Sequence, residues 1–415
     1  MNISYLCIVK YNYFIMKLIE RQRYIEKITK WFGKDMAIVL TGQRRVGKSC
    51  ILRFLCEKLS EEGNVIFIDK EQRQFDGIRT YIDLNEYIDA HMAEGKCNYI
   101  MIDEVQDIVE FERTLRSFYK EPNTEVIVTG SNAKMLSSEL STLIGGRYVE
   151  IYIQPLSYDE FLTFHSLSDS DPDALSSYIE YGGMPGLVQI GLDQESAAKY
   201  LSSIYDTTLL KDVVMRNQIR NVDFLSKLVQ YMADNEGKLI SATNISNYMK
   251  SIRENISPSV IINYQKMLSD SYLLHKVSRY DIHGKRLFES NEKFYFEDQG
   301  IRNAIAGGTR DQDIEKIIEG VVYQHLIRLG YKVYVGQLQA GEIDFVCSKS
   351  TGERVYVQVS YIVADEATRE REFGNLRKIN DNYPKYVISM TPLVSKNDDN
   401  GITHLSLRRF LLEGL

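Results

Sequence analysis

The chain has 415 residues, 44% apolar and 26% charged, and 50 basic side chains against 57 acidic ones give a net charge of −7. That usage excludes disordered, collagen-like and low-complexity classes, leaves length for roughly two to four domains, and argues against a polycation that coats nucleic acid along its whole length. Five scattered cysteines (Cys7, Cys50, Cys56, Cys97, Cys347) form no CxxC pair. Metal ribbons and disulfide frameworks are therefore not expected, a reducing cytoplasm fits, and no apolar run is long enough for a membrane span.

Residues 1–16, MNISYLCIVKYNYFIM, are apolar and aromatic. They lack the basic start and cleavage site of a signal peptide, so they are read as a tail or a mis-assigned start. The strongest motif follows at Gly42-Gln43-Arg44-Arg45-Val46-Gly47-Lys48-Ser49. It is GxxxxGK[ST] with every fixed position filled. The apolar run Met36–Thr41 before it reads as a strand, and Cys50–Leu59 after it has helical spacing. Strand, glycine loop and helix form the geometry that cradles phosphate on backbone N–H groups at a helix N-terminus. Gly42 to Cys50 is thus the expected nucleotide-binding segment, with Lys48 on the β- and γ-phosphates and the Ser49 hydroxyl on Mg²⁺.

Tyr99–Glu104 reads as a strand ending in two carboxylates. Asp103 is expected to hold Mg²⁺ and Glu104 to polarise the attacking water as general base. Glu125–Thr129 is another buried-type strand, and Gly130-Ser131-Asn132 leaves its carboxyl end, where ligands of open α/β sheets lie. Ser131 or Asn132 is a candidate to sense the γ-phosphate and orient water. Asn64–Asp69 supplies one more core strand.

Residues 157–215 read as helices broken at Gly182, Gly183, Pro185 and Gly186, with Lys211-Asp212 read as a solvated helix face in preference to a polar contact. Residues 216–310 carry 14 basic and 10 acidic side chains and form the one net-basic block. Phe224–Met232, Ile240–Met249 and Val260–Ser269 read as helices, the last capped by Ser257-Pro258. Leu273–Val277 and Arg286–Ser290 are expected to pair as the wing of a winged helix, with Arg279, His283, Lys285 and Arg286 at its tip; Arg279, Lys285 and Arg286 are the candidate DNA contacts.

The motifs GQRRVGKS, YIMIDEVQ, VIVTGSNAKML and LIGGRY, then Tyr181-Gly-Gly-Met-Pro185 and Phe294–Gly300, resemble AAA+ ATPases found beside a DUF4143 region in bacteria and archaea. The likeness runs from about residue 17 to near the end. It implies an AAA+ core over 17–156, a helical lid over 157–215 and a DUF4143 domain over 311–415. It makes Arg147, in Gly145-Gly-Arg-Tyr148, a candidate arginine finger or γ-phosphate contact, and ATP the nucleotide. The last block also resembles the PD-(D/E)xK nuclease fold. There the helix residue Glu319 and the strand residue Asp344 match, Gln358 replaces a Glu, and Ser360 replaces a Lys. Losing that charge and that cation weakens a hard-cation site, so nuclease activity is not expected.

The fold expected is therefore α/β: a P-loop AAA+ sheet with helices on both faces, then a helical lid, a winged helix at 216–310 and a small α/β nuclease-like domain. The function expected is a cytoplasmic ATPase using ATP and Mg²⁺, coupled to DNA and open to a protein partner or self-association, with no membrane. Two rival readings stay open: a metal-dependent DNA nuclease with a regulatory ATPase, and a nucleotide-switched protein-interaction module.

Overall fold

In a computed structural model, the described residues are 20–131, 144–284, 286–287, 291–309, 311–339, 341–363, 365–392 and 401–415. The tail read at 1–16, Asn132 and Lys285 lie outside them. The chain divides into two units: residues up to Gly42 with Gly47–Ile153, and Gln43–Val46 with Gln154–Leu415.

The first unit runs α1 (Gln22–Thr29), β1 (Ala37–Thr41), α2 (Lys48–Leu59), β2 (Asn64–Asp69), α3 (Tyr81–His91), β3 (Asn98–Asp103), α4 (Phe111–Phe118), β4 (Thr124–Thr129) and β5 (Tyr148–Tyr152). Its sheet has the order β2-β3-β4-β1-β5, and every pairing is parallel. Parallel strands are covered on both faces and so read as unbroken apolar runs; β1 and β3 are buried throughout. Ala37, Val39, Ile100 and Ile102 pack against Leu84 and Ile88 of α3 and Leu115 and Phe118 of α4. Strand alternation turns Ile38 and Leu40 to the other face, where α2 lies against the sheet. Each fully buried Ile or Leu contributes roughly 1.5–3 kcal/mol. This layered core fixes the carboxyl ends of β1, β3 and β4 side by side, and the loops that leave them carry the motifs.

The second unit begins with α5 (Tyr158–His165), α6 (Ala174–Tyr181), α7 (Leu187–Ile190) and α8 (Gln194–Thr207), which runs into a π-helical stretch, Thr208–Met215. Then come α9 (Val222–Asp234), α10 (Ala242–Ser251) and α11 (Pro258–Asp270). The Ser241 side chain caps α10 by accepting from the Asn244 N–H, and Pro258 opens α11. Next are β6 (Leu274–Val277), β7 (Arg279–Asp281), β8 (Arg286–Leu287), β9 (Lys293–Phe296), α12 (Gln299–Ala306) and α13 (Ile314–Arg328). The chain ends in β10 (Lys332–Leu338), β11 (Gly341–Ser348), β12 (Arg354–Ser360), α14 (Glu366–Arg377), β13 (Lys385–Ser389), β14 (Ile402–Ser406) and α15 (Leu407–Glu413). A seven-stranded mixed sheet has the order β14-β13-β12-β11-β10-β7-β8. Ile318, Val322 and Leu326 of α13 and Phe410 of α15 pack on one face of it. Phe373 and Leu376 of α14 pack on the other.

The expected wing is built differently. β6 pairs antiparallel with β9, Leu274 facing Phe296, while Arg286-Leu287 pairs with β7 in a short hairpin at the edge of the large sheet. The reason is burial. β9 is Lys-Phe-Tyr-Phe and buried along its length, whereas Leu287 in the competing segment is exposed. A strand buried on both sides takes the partner position that a polar hairpin cannot fill.

Candidate nucleotide site

The loop after β1 turns at Gly42 and closes at Gly47, whose φ of 99° only glycine adopts without strain. Arg45 within the loop is also left-handed, at φ 67°. Gly47 caps α2, and no side chain caps that helix or places a negative charge in its first turn. The first backbone N–H groups of α2 stand at the positive end of the helix dipole. This geometry suits an anion. The Lys48 ammonium is 4% exposed and donates to the Gly42 carbonyl at 2.8 Å.

Asp103 ends β3, is 1% exposed and accepts from the hydroxyls of Thr129 and Ser49. Burial is the main reason its carboxyl is pushed up to about 6; the two hydroxyls work in the opposite direction. Thr129 also accepts the Glu104 N–H at 2.9 Å, so one hydroxyl positions both acidic residues. Glu104 adopts φ 52°, a left-handed conformation that non-glycine residues avoid unless the surroundings impose it. Its Oε2 accepts from the Ser131 hydroxyl at 3.2 Å and from Gln106 Nε2. A buried hydroxyl-bound carboxylate beside Ser49 has the oxygen chemistry to hold Mg²⁺, and Glu104 stands next to it as a base for water.

Gly42, Gly47, Lys48, Ser49, Asp103 and Glu104 are thus brought to one end of the sheet. Cys50 lies in the first turn of α2. Arg147 is not brought there. It precedes β5, its carbonyl accepts the Ala37 N–H at the start of β1, and it is exposed. The register pairs Ala37 with Tyr148 and Thr41 with Tyr152, so Arg147 sits at the amino end of the strands while the phosphate loop leaves the carboxyl end. Five residues of strand, roughly 16 Å, exceed the reach of an Arg side chain to its own chain's γ-phosphate.

The remaining loop residues Gln43–Val46 group with the second unit. Arg44 makes a bidentate ion pair with Asp212, at 2.9 and 3.0 Å, and Arg45 stacks over the Tyr200 ring at 5.8 Å. Asp212 is 1% exposed, which corrects its reading as part of a solvated helix face. The π-helical stretch shifts the side-chain phase of that segment, which ordinary 3.6-residue periodicity does not anticipate.

In the C-terminal sheet domain the structure brings Glu319, Asp344 and Gln358 together with Glu342, which the sequence offers as a possible third carboxylate, and adds Lys293 and Tyr295, which the motif pattern did not pick out. The Lys293 ammonium lies 2.9 Å from Glu319, 2.7 Å from Glu342 and 3.7 Å from Asp344, and is 3% exposed. The Tyr295 hydroxyl donates to Glu319 at 2.5 Å. Burial pushes the Lys293 pKa down, and Glu319, Asp344 and Glu342 more than reverse it, for a net upward shift. The Asp344 carboxyl is raised well above the usual range, by burial first and Glu319 second. Gln358 Oε1 accepts from the Asp344 N–H at 3.4 Å. Ser360 is buried, and its hydroxyl has no hydrogen-bond partner.

Of the expected DNA contacts, Arg279 is partly buried and bonded to Gln337, so it is no wing-tip cation. Arg286 lies in β8, with its side chain outside the described part, as Lys285 is entirely. No helix among the described residues is long and apolar enough to cross a membrane.

Residues 34–162 match the family model of an AAA domain, and residues 172–312 match a domain of unknown function, DUF8612. The DUF8612 match stops before α13. A Haemophilus influenzae protein described as uncharacterized is 33% identical over 380 residues, covering 90% of this chain and 93% of the relative. An uncharacterized protein of Methanocaldococcus jannaschii is 26% identical over 376 residues, covering 85% of this chain and 82% of its own. Among solved structures, Aeropyrum pernix ORC1 in complex with DNA aligns with a TM-score of 0.34 and 11% identity, over 72% of this chain and 95% of its own. The Thermotoga maritima RuvB Holliday junction branch migration motor aligns with a TM-score of 0.34 and 12% identity, over 62% and 90%.

Proposed function

The chain belongs to the family of AAA-domain proteins that includes the Haemophilus influenzae relative, and from that membership we propose that it hydrolyses ATP with Mg²⁺ and couples its nucleotide state to DNA binding. The observation that carries the ATPase is the uncapped N-terminus of α2, with Lys48 at its start and Asp103 bonded to Ser49. Phosphate is bound by the loop N–H groups and Lys48. Ser49 and Asp103 would hold Mg²⁺, which would supply positive charge against the phosphate oxygens. Glu104 accepts the proton of the attacking water, and Ser131 holds that carboxylate in place from its Oε2 side. Arg147, at the far end of β1, serves the γ-phosphate of a neighbouring subunit, which makes activity dependent on self-association.

The DNA part rests on charge and local shape. Residues 216–310 are the net-basic block, and within it the short turn between α10 and α11 and the ribbon of β6 and β9 suit a winged-helix module. In this reading 157–215 is the lid over the nucleotide, and 311–415 is a nuclease-like scaffold of the DUF4143 kind. That scaffold acts without cutting, because the Lys293 ammonium sits among its carboxylates where a divalent metal would have to lie. All of this takes place in the cytoplasm.

The test is steady-state ATP hydrolysis by the purified full chain, alone and with single-stranded, duplex and branched DNA, using Lys48→Ala as the blank. Stimulation by any DNA form supports the coupling. Turnover indifferent to all of them keeps the ATPase and removes DNA. Turnover equal to the blank removes both.

A further inference from the structure

The run Phe294–Gly300 and the turn after α6 meet in the second unit. Gly183 donates its N–H to Asp298 Oδ2 at 2.7 Å, and a Cβ on Gly182 would lie 2.3 Å from Asp298 Oδ1. Beside this contact is a recess of about 20 Å³, lined among others by Leu156, Gly183, Glu297, Gln299, Gln324 and Arg328. That volume accommodates one occupant the size of a water molecule.

Three of the lining side chains share an unusual feature. Gln299 Nε2 donates to Glu236 Oε1 at 3.1 Å, an oxygen that also accepts the Phe296 N–H at 2.8 Å. Gln324 Nε2 donates to the Phe296 carbonyl at 2.6 Å. Both bonds end on acceptors, so chemistry fixes which side of each amide is nitrogen and which is oxygen. Glu297 uses its Oε2 on His275 Nε2. What remains is Glu297 Oε1, Gln299 Oε1 and Gln324 Oε1, each buried and without a hydrogen-bond partner. Glu297 is 2% exposed and Gln299 4%. Three acceptors without donors, on three residues that line one small recess, are costly unless something positive meets them.

We propose that the recess is a binding site for a single monovalent cation, of the Na⁺ or K⁺ class, coordinated by the side-chain oxygens of Glu297, Gln299 and Gln324. A water molecule has two protons and can satisfy two of the three oxygens at most. Mg²⁺ and Ca²⁺ require six or more oxygens and favour several carboxylates. Here the lining charges are Glu297, Asp298 and Arg328, a net of one negative charge. Asp298 is already occupied, by the Gly183 N–H on one oxygen and the Ile301 N–H on the other. One free carboxylate oxygen with two amide oxygens matches one positive charge. The ion ties the start of α12 to α13, which carries Gln324.

Thermal unfolding of the full chain tests this, without nucleotide or Mg²⁺, in potassium, sodium and choline chloride at equal ionic strength. The expected result is a melting temperature higher by a few degrees in one or both small cations, the shift that saturation of a modest site gives a domain of this size. Glu297→Gln and Gln324→Met should each abolish that difference. Equal melting in all three salts, or the same difference kept by both variants, overturns the site. Crystals grown in rubidium chloride give an independent reading: an anomalous peak in the recess supports the cation, and a water there without anomalous signal refutes it.

Discussion

Lys48 and Lys293 are both almost fully buried, yet the Lys48 ammonium rests on the neutral carbonyl of Gly42 at 2.8 Å, whereas Lys293 is held by the carboxylates of Glu319 and Glu342 at 2.9 and 2.7 Å, with Asp344 at 3.7 Å. The charge of the partner decides what each lysine can do. A neutral carbonyl brings no opposite charge to the ammonium, so that bond can be exchanged for one to a phosphate, which does. A lysine among carboxylates has no such exchange to gain, and a divalent cation would have to displace a tethered ammonium. The first lysine rests on a neutral carbonyl that a ligand can displace, and the second is held by carboxylates of its own fold. The acidic groups divide in the same way. Asp103 is bonded by hydroxyls that can turn toward a metal, while Glu319 receives Tyr295 and Lys293 together.

The largest expected effect tests the open site. Glu104→Gln keeps the shape and the Ser131 contact but removes the base. Hydrolysis should fall by about 10²- to 10⁴-fold, with nucleotide affinity unchanged. Single-turnover rates and equilibrium binding separate the two, and parental turnover in the variant would remove Glu104 from the mechanism. Next in size is the closed site. Lys293→Met leaves buried carboxylates without their cation and should cost about 3 kcal/mol of unfolding free energy. Adding Glu319→Gln should restore part of it, because the two side chains are in direct contact. A double variant as unstable as the sum of the singles would show that the pair is not coupled.

A third change probes the loop. Asp212→Asn breaks the bidentate pair with Arg44 and should cost about 1.5–3 kcal/mol of stability. Because Arg44 lies inside the phosphate loop, KM for ATP should rise severalfold while kcat holds. A fall in kcat alone would place Asp212 in the chemistry rather than in positioning the loop.

The legibility of these sites follows their chain geometry. The phosphate loop is contiguous, and its strand and helix flank it, so eight residues of sequence carry the whole device. The Lys293 cluster draws on β9, α13 and β11, and nothing local marks Lys293 as the partner of Glu319, 26 residues away. Arg147 is only half legible, for the opposite reason. Its motif is local, but whether it can meet its own chain's phosphate depends on strand direction, and nothing local marks β5 as the strand next to β1. The wing pairing is hidden because Phe294–Phe296 reads as part of a motif rather than as a strand. The burial of Asp212 is hidden because a π-helical stretch has no signature in apolar spacing.

The smallest effect is also the most specific to the contrast between open and closed sites, because two of its consequences have opposite signs. Burial raises the Asp103 pKa from 3.8 to about 6, so the fold favours the protonated form. In the free protein this group's contribution to stability is fully present below about pH 4 and is lost as pH rises through about 6. Mg²⁺ needs the ionised form, so its apparent affinity with nucleotide should change the other way. It should be full at pH 7 and weaker by about tenfold at pH 5, one unit below that pKa. Asp103→Asn should flatten both profiles around pH 6. Mg²⁺-nucleotide titrations at pH 5, 6 and 7, beside melting curves without ligand, read both signs from one sample. If affinity and free-protein stability fall together toward low pH, the titrating group is not Asp103, and the metal is held by something other than the buried carboxylate at the end of β3.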